Sequence, residues 1–428
     1  MHNLSYVLVL ILVFLLQGSA FGSSGGESPP EVTAIVGASV VKLDGSASIQ
    51  NAVVLIEGEK ITAVGPASST QVPPNAKVIH AEGKWLLPGL MNLHVHLGLR
   101  YPWESGEETE AALALRMAAN ARKALHAGVT TLRLVGEDSR ADFALRNAIQ
   151  RGDAEGPNIF TAGWPVIVTG GHGSKVDETY NDGPYEFRKA ARKQIRAGAD
   201  WIKLLISGGI STPGSSIGAS YLTRDEVEAV TDIAHRHGVK VTAHSGSPVA
   251  TDEAVDAGLD CVEHGYFLTE KVFRKMKKHG TWLVPTIVVS QPATLPAPGT
   301  PPWLLDRMEE AGKKHWHALK TAVKVGVRIA LGTDYFPFEP NDGTTTTVRE
   351  AEYYVEAGMT PVQALRAGTI EAATLLGAED RLGTIENGKQ ADMIAVDQDP
   401  TRDISALRNI RFVMKGGKVV RNDIEANI

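Results

Sequence analysis

Cysteine is almost absent. Cys261 is the only one in 428 residues, which excludes an intramolecular disulfide framework and any multi-cysteine zinc site. A metal, if the chain holds one, must rest on histidine and carboxylate. A basic excess is also missing, because 43 Lys and Arg stand against 49 Asp and Glu for a net charge of −6. Neutralising phosphates needs the opposite balance, so no nucleic-acid partner is expected. The apolar run from Leu4 to Leu16 is shorter than the roughly 20 residues of a spanning helix. Followed by Gly18, Ser19 and Ala20, it reads as a secretory signal peptide over residues 1–22, cleaved after Ala20 or Gly22. The first residues lack Lys and Arg, so an uncleaved membrane anchor is the alternative. Either form predicts a secreted or periplasmic protein.

What remains is globular in composition, with 43% hydrophobic and 21% charged residues and so a sizeable core. Strand-like runs Val32 to Val41 and Asn51 to Gly65 open the chain, and Ala391 to Asp397 and Ile410 to Val420 close it. They predict a small β-sandwich domain built from both ends, residues 23–84 and 380–428. Between them, residues 85–379 alternate short apolar runs with helical patterns, the order of βα units. Strands are expected at Leu86 to Leu97, Thr130 to Val135, Asn158 to Ala162, Trp201 to Ile206, Val239 to His244, Cys261 to His264, Trp282 to Ile287 and Arg328 to Thr333. Eight such strands point to an α/β fold of the (β/α)8 TIM-barrel type, with a doubly wound sheet as the alternative. The Gly- and Pro-rich stretches 163–183, 207–219, 288–301 and 335–346 fall directly after strands, where barrel loops build a site.

Chemistry-bearing residues recur at those strand ends. His94 and His96 sit two apart, so both rings face one side of a strand. Paired imidazoles are poor core residues and good ligands for a divalent ion. Lys203 lies inside the apolar run WIKLLI, where burial disfavours its charge. A neutral amine there can take up carbon dioxide as a carbamate, a carboxylate able to bridge two metals; the alternative is an ion pair with a strand-end carboxylate such as Asp334. His244 closes VKVTAH, His264 closes CVEH and Asp334 closes RIALGTD. Independent core residues have no reason to gather at one end of successive strands, whereas a two-metal site needs a ring of N and O ligands. By strand alternation Glu263 points away from that ring. Cys261 is expected to be inert, and the other histidines solvated or structural. The Pro-rich stretch Gln291 to Trp303 suggests a hydrophobic wall over the pocket.

The ordered set PGLMNLHVHLG, HAGVTTLRLVG, WIKLLISGG, VTAHSG, CVEHGYFL, ALGTD and LGTIENGKQADMIAVDQDP resembles the metal-dependent amidohydrolase superfamily from Val32 to Val420. The fourth-strand lysine and the GGHG loop resemble its branch of Xaa-Pro dipeptidases and zinc carboxypeptidases, which includes ochratoxin-hydrolysing amidohydrolases. That resemblance implies two zinc ions, one held by His94, His96 and Asp334 and a more exposed one by His244 and His264. Lys203, as N6-carboxylysine, would bridge them. Asn92 and Leu134 stand where the family pattern has aspartates, which leaves the orientation of His94 and His96 open.

Asp334 is then the expected proton carrier in cleavage of an amide bond to a C-terminal amino acid, in dipeptides, N-acyl amino acids or ochratoxin-type amides. His172, in TGGHGS, is the expected oxyanion donor, and Tyr221 the expected clasp for a substrate carboxylate. The resemblance also implies a homo-oligomer, an octamer being one form. Cyclic-amide or imidazolone hydrolysis is the rival activity, and a non-catalytic scaffold the rival from another class.

Overall fold

A computed structural model describes residues 31–98, 108–173, 180–291, 300–334 and 344–424. The leader, residues 292–299 of the Pro-rich stretch and residues 335–343 lie outside them. The first segment forms β1 (Val32–Val40), β2 (Ile49–Glu57), β3 (Lys60–Pro66), β4 (Lys77–His80) and β5 (Trp85–Pro88). The middle carries β6 (Leu90–Val95), β7 (Val129–Leu134), β8 (Asn158–Thr161), the short β9 (Ile167–Val168) and β10 (Tyr180–Asn181), β11 (Trp201–Leu205), β12 (Lys240–Ser245), β13 (Cys261–His264) and β14 (Trp282–Val284). The last segment adds β15 (Met393–Val396), β16 (Ile410–Lys415) and β17 (Lys418–Asn422). Helices α1 (Glu110–His126), α2 (Ala141–Arg151), α3 (Gly183–Ala197), α4 (Arg224–Arg236), α5 (Pro248–Asp256), α6 (Glu270–His279), α7 (Pro302–Val325), α8 (Thr344–Glu356), α9 (Pro361–Ala367) and α10 (Ile370–Leu376) follow the middle strands. None of the described helices is long and apolar enough to cross a membrane.

Both chain ends meet in one sheet, ordered β17-β16-β15-β5-β1-β2-β3 with β4 on β1. Its buried side chains, among them Ile35, Val54, Ile61, Leu86, Met393 and Phe412, form a core of their own. The expected strand Leu86 to Leu97 splits at Gly89. A Cβ there would collide with Thr130, and the Gly89 N–H turns to the carbonyl of Asp392 at 3.0 Å. β5 therefore joins the end sheet and β6 the middle of the chain.

The middle strands pair in parallel as β6-β7-β8 and β11-β12-β13-β14. Backbone bonds link the two sheets on one flank, Asp200 N to Thr161 O at 2.8 Å and Val166 N to Lys203 O at 2.8 Å. On the other flank Arg328–Thr333, expected as the eighth strand, makes one bridge, Leu283 to Ile329, and is otherwise irregular. It still bonds both neighbours, through Leu283 N to Arg328 O at 2.9 Å and Leu93 N to Leu331 O at 2.8 Å. The Asn92 side chain joins this contact, with Oδ1 accepting from Thr333 N at 3.2 Å and His94 N at 3.3 Å, beside the backbone bond from Thr333 N to the His94 carbonyl at 3.2 Å.

Candidate metal centre

Cross-strand register sets Lys203, Thr242 and Cys261 in one row, and Leu205, His244 and Glu263 in the next. In a parallel sheet such rows share a face, so Lys203 and His244 rise from adjacent strands on the side that also carries Glu263. β6 brings in His94, and His96 follows directly after it. Asp334 joins them because its backbone N–H binds the His94 carbonyl at 2.8 Å, and its Oδ1 lies 3.0 Å from His96 Nε2 and 3.3 Å from His94 Nε2. Ligand atoms of His94, His264 and Asp334 fall within 4.8 Å of one another, and the His264 ring is 4.9 Å from His94 and 4.5 Å from His244.

Each imidazole is tethered by one nitrogen. His94 Nδ1 meets Glu263 Oε2 at 2.7 Å, His96 Nδ1 the Gly136 carbonyl at 2.6 Å and His264 Nδ1 the Thr286 hydroxyl at 2.6 Å. His244 is held by its other nitrogen, Nε2, on the Gly208 carbonyl at 3.0 Å. A carbonyl oxygen only accepts, so the tethered nitrogens of His96 and His244 carry a ring proton. The opposite nitrogen of His244 keeps its lone pair, the arrangement a metal needs of its imidazoles. His96 Nε2 faces the Asp334 carboxylate at 3.0 Å; burial lowers that imidazole, but Asp334 outweighs it and raises the ring above its ordinary value, so a metal would displace the proton there. Burial keeps His244 and His264 well below the usual imidazole range, so their rings are neutral. The donor set thus fits a divalent ion.

Three of the four described non-glycine residues with positive φ lie here: His264 at 69°, Thr286 at 52° and Asp334 at 52°. Such conformations are unfavourable for branched or bulky residues and gather at functional sites. The turn at His264 also corrects the expectation for Glu263. Strand alternation ends there, so Glu263 faces the centre and His264 is turned back to it. Glu263 binds His94, takes Arg133 Nη2 at 2.6 Å and accepts from the Thr242 hydroxyl. Burial pushes its carboxyl up, but Arg133 and His94 outweigh this and hold it below the ordinary range. Glu263→Gln is expected to weaken metal binding about tenfold and to lower stability on the order of 3 kcal/mol by leaving Arg133 buried without its charge partner. Chelator competition and urea unfolding measure the two effects.

Lys203 is buried, and burial pushes its ammonium down to about 8. The ion pair with Asp334 is not made; Asp334 turns to His94 and His96. The His172 ring lies 4.5 Å from that of His244, tilted by 40°, and its Nδ1 meets the Thr212 hydroxyl. Burial lowers its imidazole to about 4. Tyr221 packs half-buried against the main core. A different tyrosine, Tyr266, lies flat on His264 at 4.9 Å and edge-on to His315 at 4.7 Å. His315 is buried and structural, binding the His264 carbonyl at 3.0 Å. Asn92 answers the question of orientation: Nδ2 donates to Thr333 and Thr347 at 2.8 and 3.1 Å, which fixes the strand behind His94. Leu134 is buried in the main core. Cys261 is sealed in, its thiol pushed up to about 12 by burial.

Comparison with known proteins gives the family. The amidohydrolase family model matches residues 85–420, and the chain belongs to that family. It is a hydrolase acting on amide bonds. It is 29% identical over 435 residues to ochratoxinase of Aspergillus niger, covering 91% of this chain and 87% of that one. A solved Xaa-Pro dipeptidase with methionine bound in the active site superimposes with a TM-score of 0.83 at 31% identity, covering 91% of this chain and 99% of the other. Imidazolonepropionase of Geobacillus kaustophilus is 24% identical, over 88% of this chain and 91% of its own.

Proposed function

We propose that this chain is a binuclear amidohydrolase, with zinc as its metal, that cleaves the amide bond to a C-terminal amino acid in dipeptides and N-acyl amino acids. The observation that carries the reading is the set of four imidazoles, each tethered outward by one nitrogen, gathered around Asp334 and Lys203. The same reading joins the two parallel sheets and residues 328–333 into a (β/α)8 barrel, with the end sheet as a second domain. His94, His96 and Asp334 would hold one ion, His244 and His264 the other, and Lys203 as its carbamate would bridge them. When bound, such ions polarise an amide carbonyl and acidify water.

Asp334, through the carboxylate oxygen not engaged by the imidazoles, takes the proton of the attacking water and returns it to the amine nitrogen as the C–N bond breaks. Without that proton the amine is a poor leaving group. With the Thr212 hydroxyl donating to Nδ1, the neutral His172 ring carries its proton on Nε2 and offers it to the carbonyl oxygen as charge develops there. The family members named ochratoxinase and Xaa-Pro dipeptidase support a carboxy-terminal amino acid as leaving group, since an ochratoxin amide joins an aromatic acyl group to phenylalanine. Export and homo-oligomer formation belong to the same reading.

A hydrolysis screen of N-acyl amino acids, Xaa-Pro dipeptides and cyclic amides on metal-analysed protein tests it. The expected result is turnover of the first two classes with two metals per chain. Turnover of cyclic amides alone would establish the imidazolone-type alternative. Treatment with a chelator is expected to abolish turnover, and added zinc, manganese or cobalt to restore it.

A further inference from the structure

The loop after β11 has few side chains to hold it. Residues 207–219, SGGISTPGSSIGA, are mostly Gly and Ser, and its apolar anchors are Ile210 and Ile217, which pack with Tyr266, Leu304 and Ala311. Yet two imidazoles rest on it. The Gly208 carbonyl holds His244 Nε2 at 3.0 Å and Thr212 holds His172 Nδ1. Gly209 lies against the His172 ring so closely that a Cβ would collide with it. At its base the loop is tied by the Ser207–Ser220 bridge. Beyond that, Arg307 reaches across from α7. Its Nη1 donates to the Ser215 carbonyl at 2.8 Å and its Nη2 to the Gly209 carbonyl at 2.7 Å, bracketing Thr212. Its Nε is buried without a partner, and no described carboxylate lies within ion-pair distance, so the guanidinium is committed to the loop.

We propose that Arg307 is the positioning residue for His172 and His244, acting through the Gly208–Ser215 backbone. A planar fork with two separated donors can hold two carbonyls at once; a lysine reaches one. The inference rests on the binuclear reading for the role of His244, and the test separates the two by measuring binding of zinc alone as well as turnover. For Arg307→Met, competition with a chromophoric chelator is expected to show the weaker zinc constant loosened about tenfold and the tighter one unchanged. Using N-benzoyl-L-phenylalanine as substrate, kcat is expected to fall about a hundredfold with KM within about threefold, the penalty of a small displacement of a catalytic ring. Arg307→Lys is expected to recover part of both. In saturating zinc, which offsets the looser binding at His244, adding Arg307→Met to a His172→Asn chain is expected to lower kcat by no more than about threefold further, because the remaining effect of both changes falls on one ring.

Unchanged zinc binding and kcat in Arg307→Met overturn the proposal. Equal loosening of both zinc ions, or losses that multiply with those of His172→Asn, also overturn it, since they mark general destabilisation. Should Arg307→Met fail to fold, Arg307→Lys decides on the same readouts, no change from wild type being the negative result. A chain that binds one zinc only refutes the binuclear reading, and the His172 double substitution then decides the role of Arg307 by itself.

Discussion

Asp334→Asn should lower kcat by about a thousandfold, within the range that positioned acid–base groups supply, while leaving the protein folded. Asparagine has the shape of aspartate and tolerates the left-handed backbone that Asp334 adopts at φ 52°. The bond from its N–H to the His94 carbonyl, 2.8 Å, survives the change. What is lost is the charge facing His94 and His96, and with it the ability to take a proton from water and pass it to the amine. Burial pushes the Asp334 carboxyl up, but the neighbouring His94 and His96 outweigh it and hold the group well below the usual carboxylate range, so in the wild type it is ionised and ready to accept. Steady-state turnover, metal analysis and thermal unfolding on one preparation are the measurements. Turnover within about tenfold of wild type would be too small a loss for the group that carries the proton, and would remove Asp334 from the mechanism.

The second large effect is expected at Lys203. Lys203→Met should abolish measurable turnover and reduce the metal content below two per chain, yet cost little stability. A buried ammonium without an ion pair is a burden on the fold, and an apolar stem of similar length removes it. The loss should therefore be chemical. Two further readouts identify the chemistry. Intact-mass analysis of the native metal-loaded protein should show one carbon dioxide adduct that disappears in Lys203→Met. The smaller Lys203→Ala, which leaves room, should regain part of its turnover with formate or acetate, whose carboxylate replaces the missing bridge. Full activity of Lys203→Met would refute the carbamate.

Much of this was legible before any coordinates. The strand ends carried His94, His96, His244, His264 and Asp334 in order, and a lysine inside an apolar run is anomalous enough to be noticed. The same signal was available for Arg133, buried in the equally apolar VTTLRLVG and bound to Glu263 and the Leu93 carbonyl, and it was missed. Glu263 was misplaced for a different reason. Alternation along a strand is a rule for extended backbone, and His264 leaves that region at φ 69°. No side-chain pattern announces a positive φ in a non-glycine residue; the glycine that follows, Gly265, was the one available hint. Arg307 was invisible because its partners lie on a loop whose path depends on packing rather than on periodicity, and Tyr266 because its stacking on His264 follows from the positive φ of His264 and Gly265. The eighth strand keeps backbone bonds to both neighbours but forms a single bridge, an irregularity that no side-chain pattern in RIALGT announces.

The sheet order has a consequence for how the chain is made. β5 is flanked by β1 on one side and β15 on the other, and about 300 residues separate β5 from β15 in sequence. At ribosomal speed that interval lasts roughly 15–60 s. Through all of it the first-made hairpins present an unpaired, apolar border, the kind that recruits stray strands. Biogenesis of this enzyme therefore contains a timed vulnerability at its amino-terminal end that closes only when the last strands emerge.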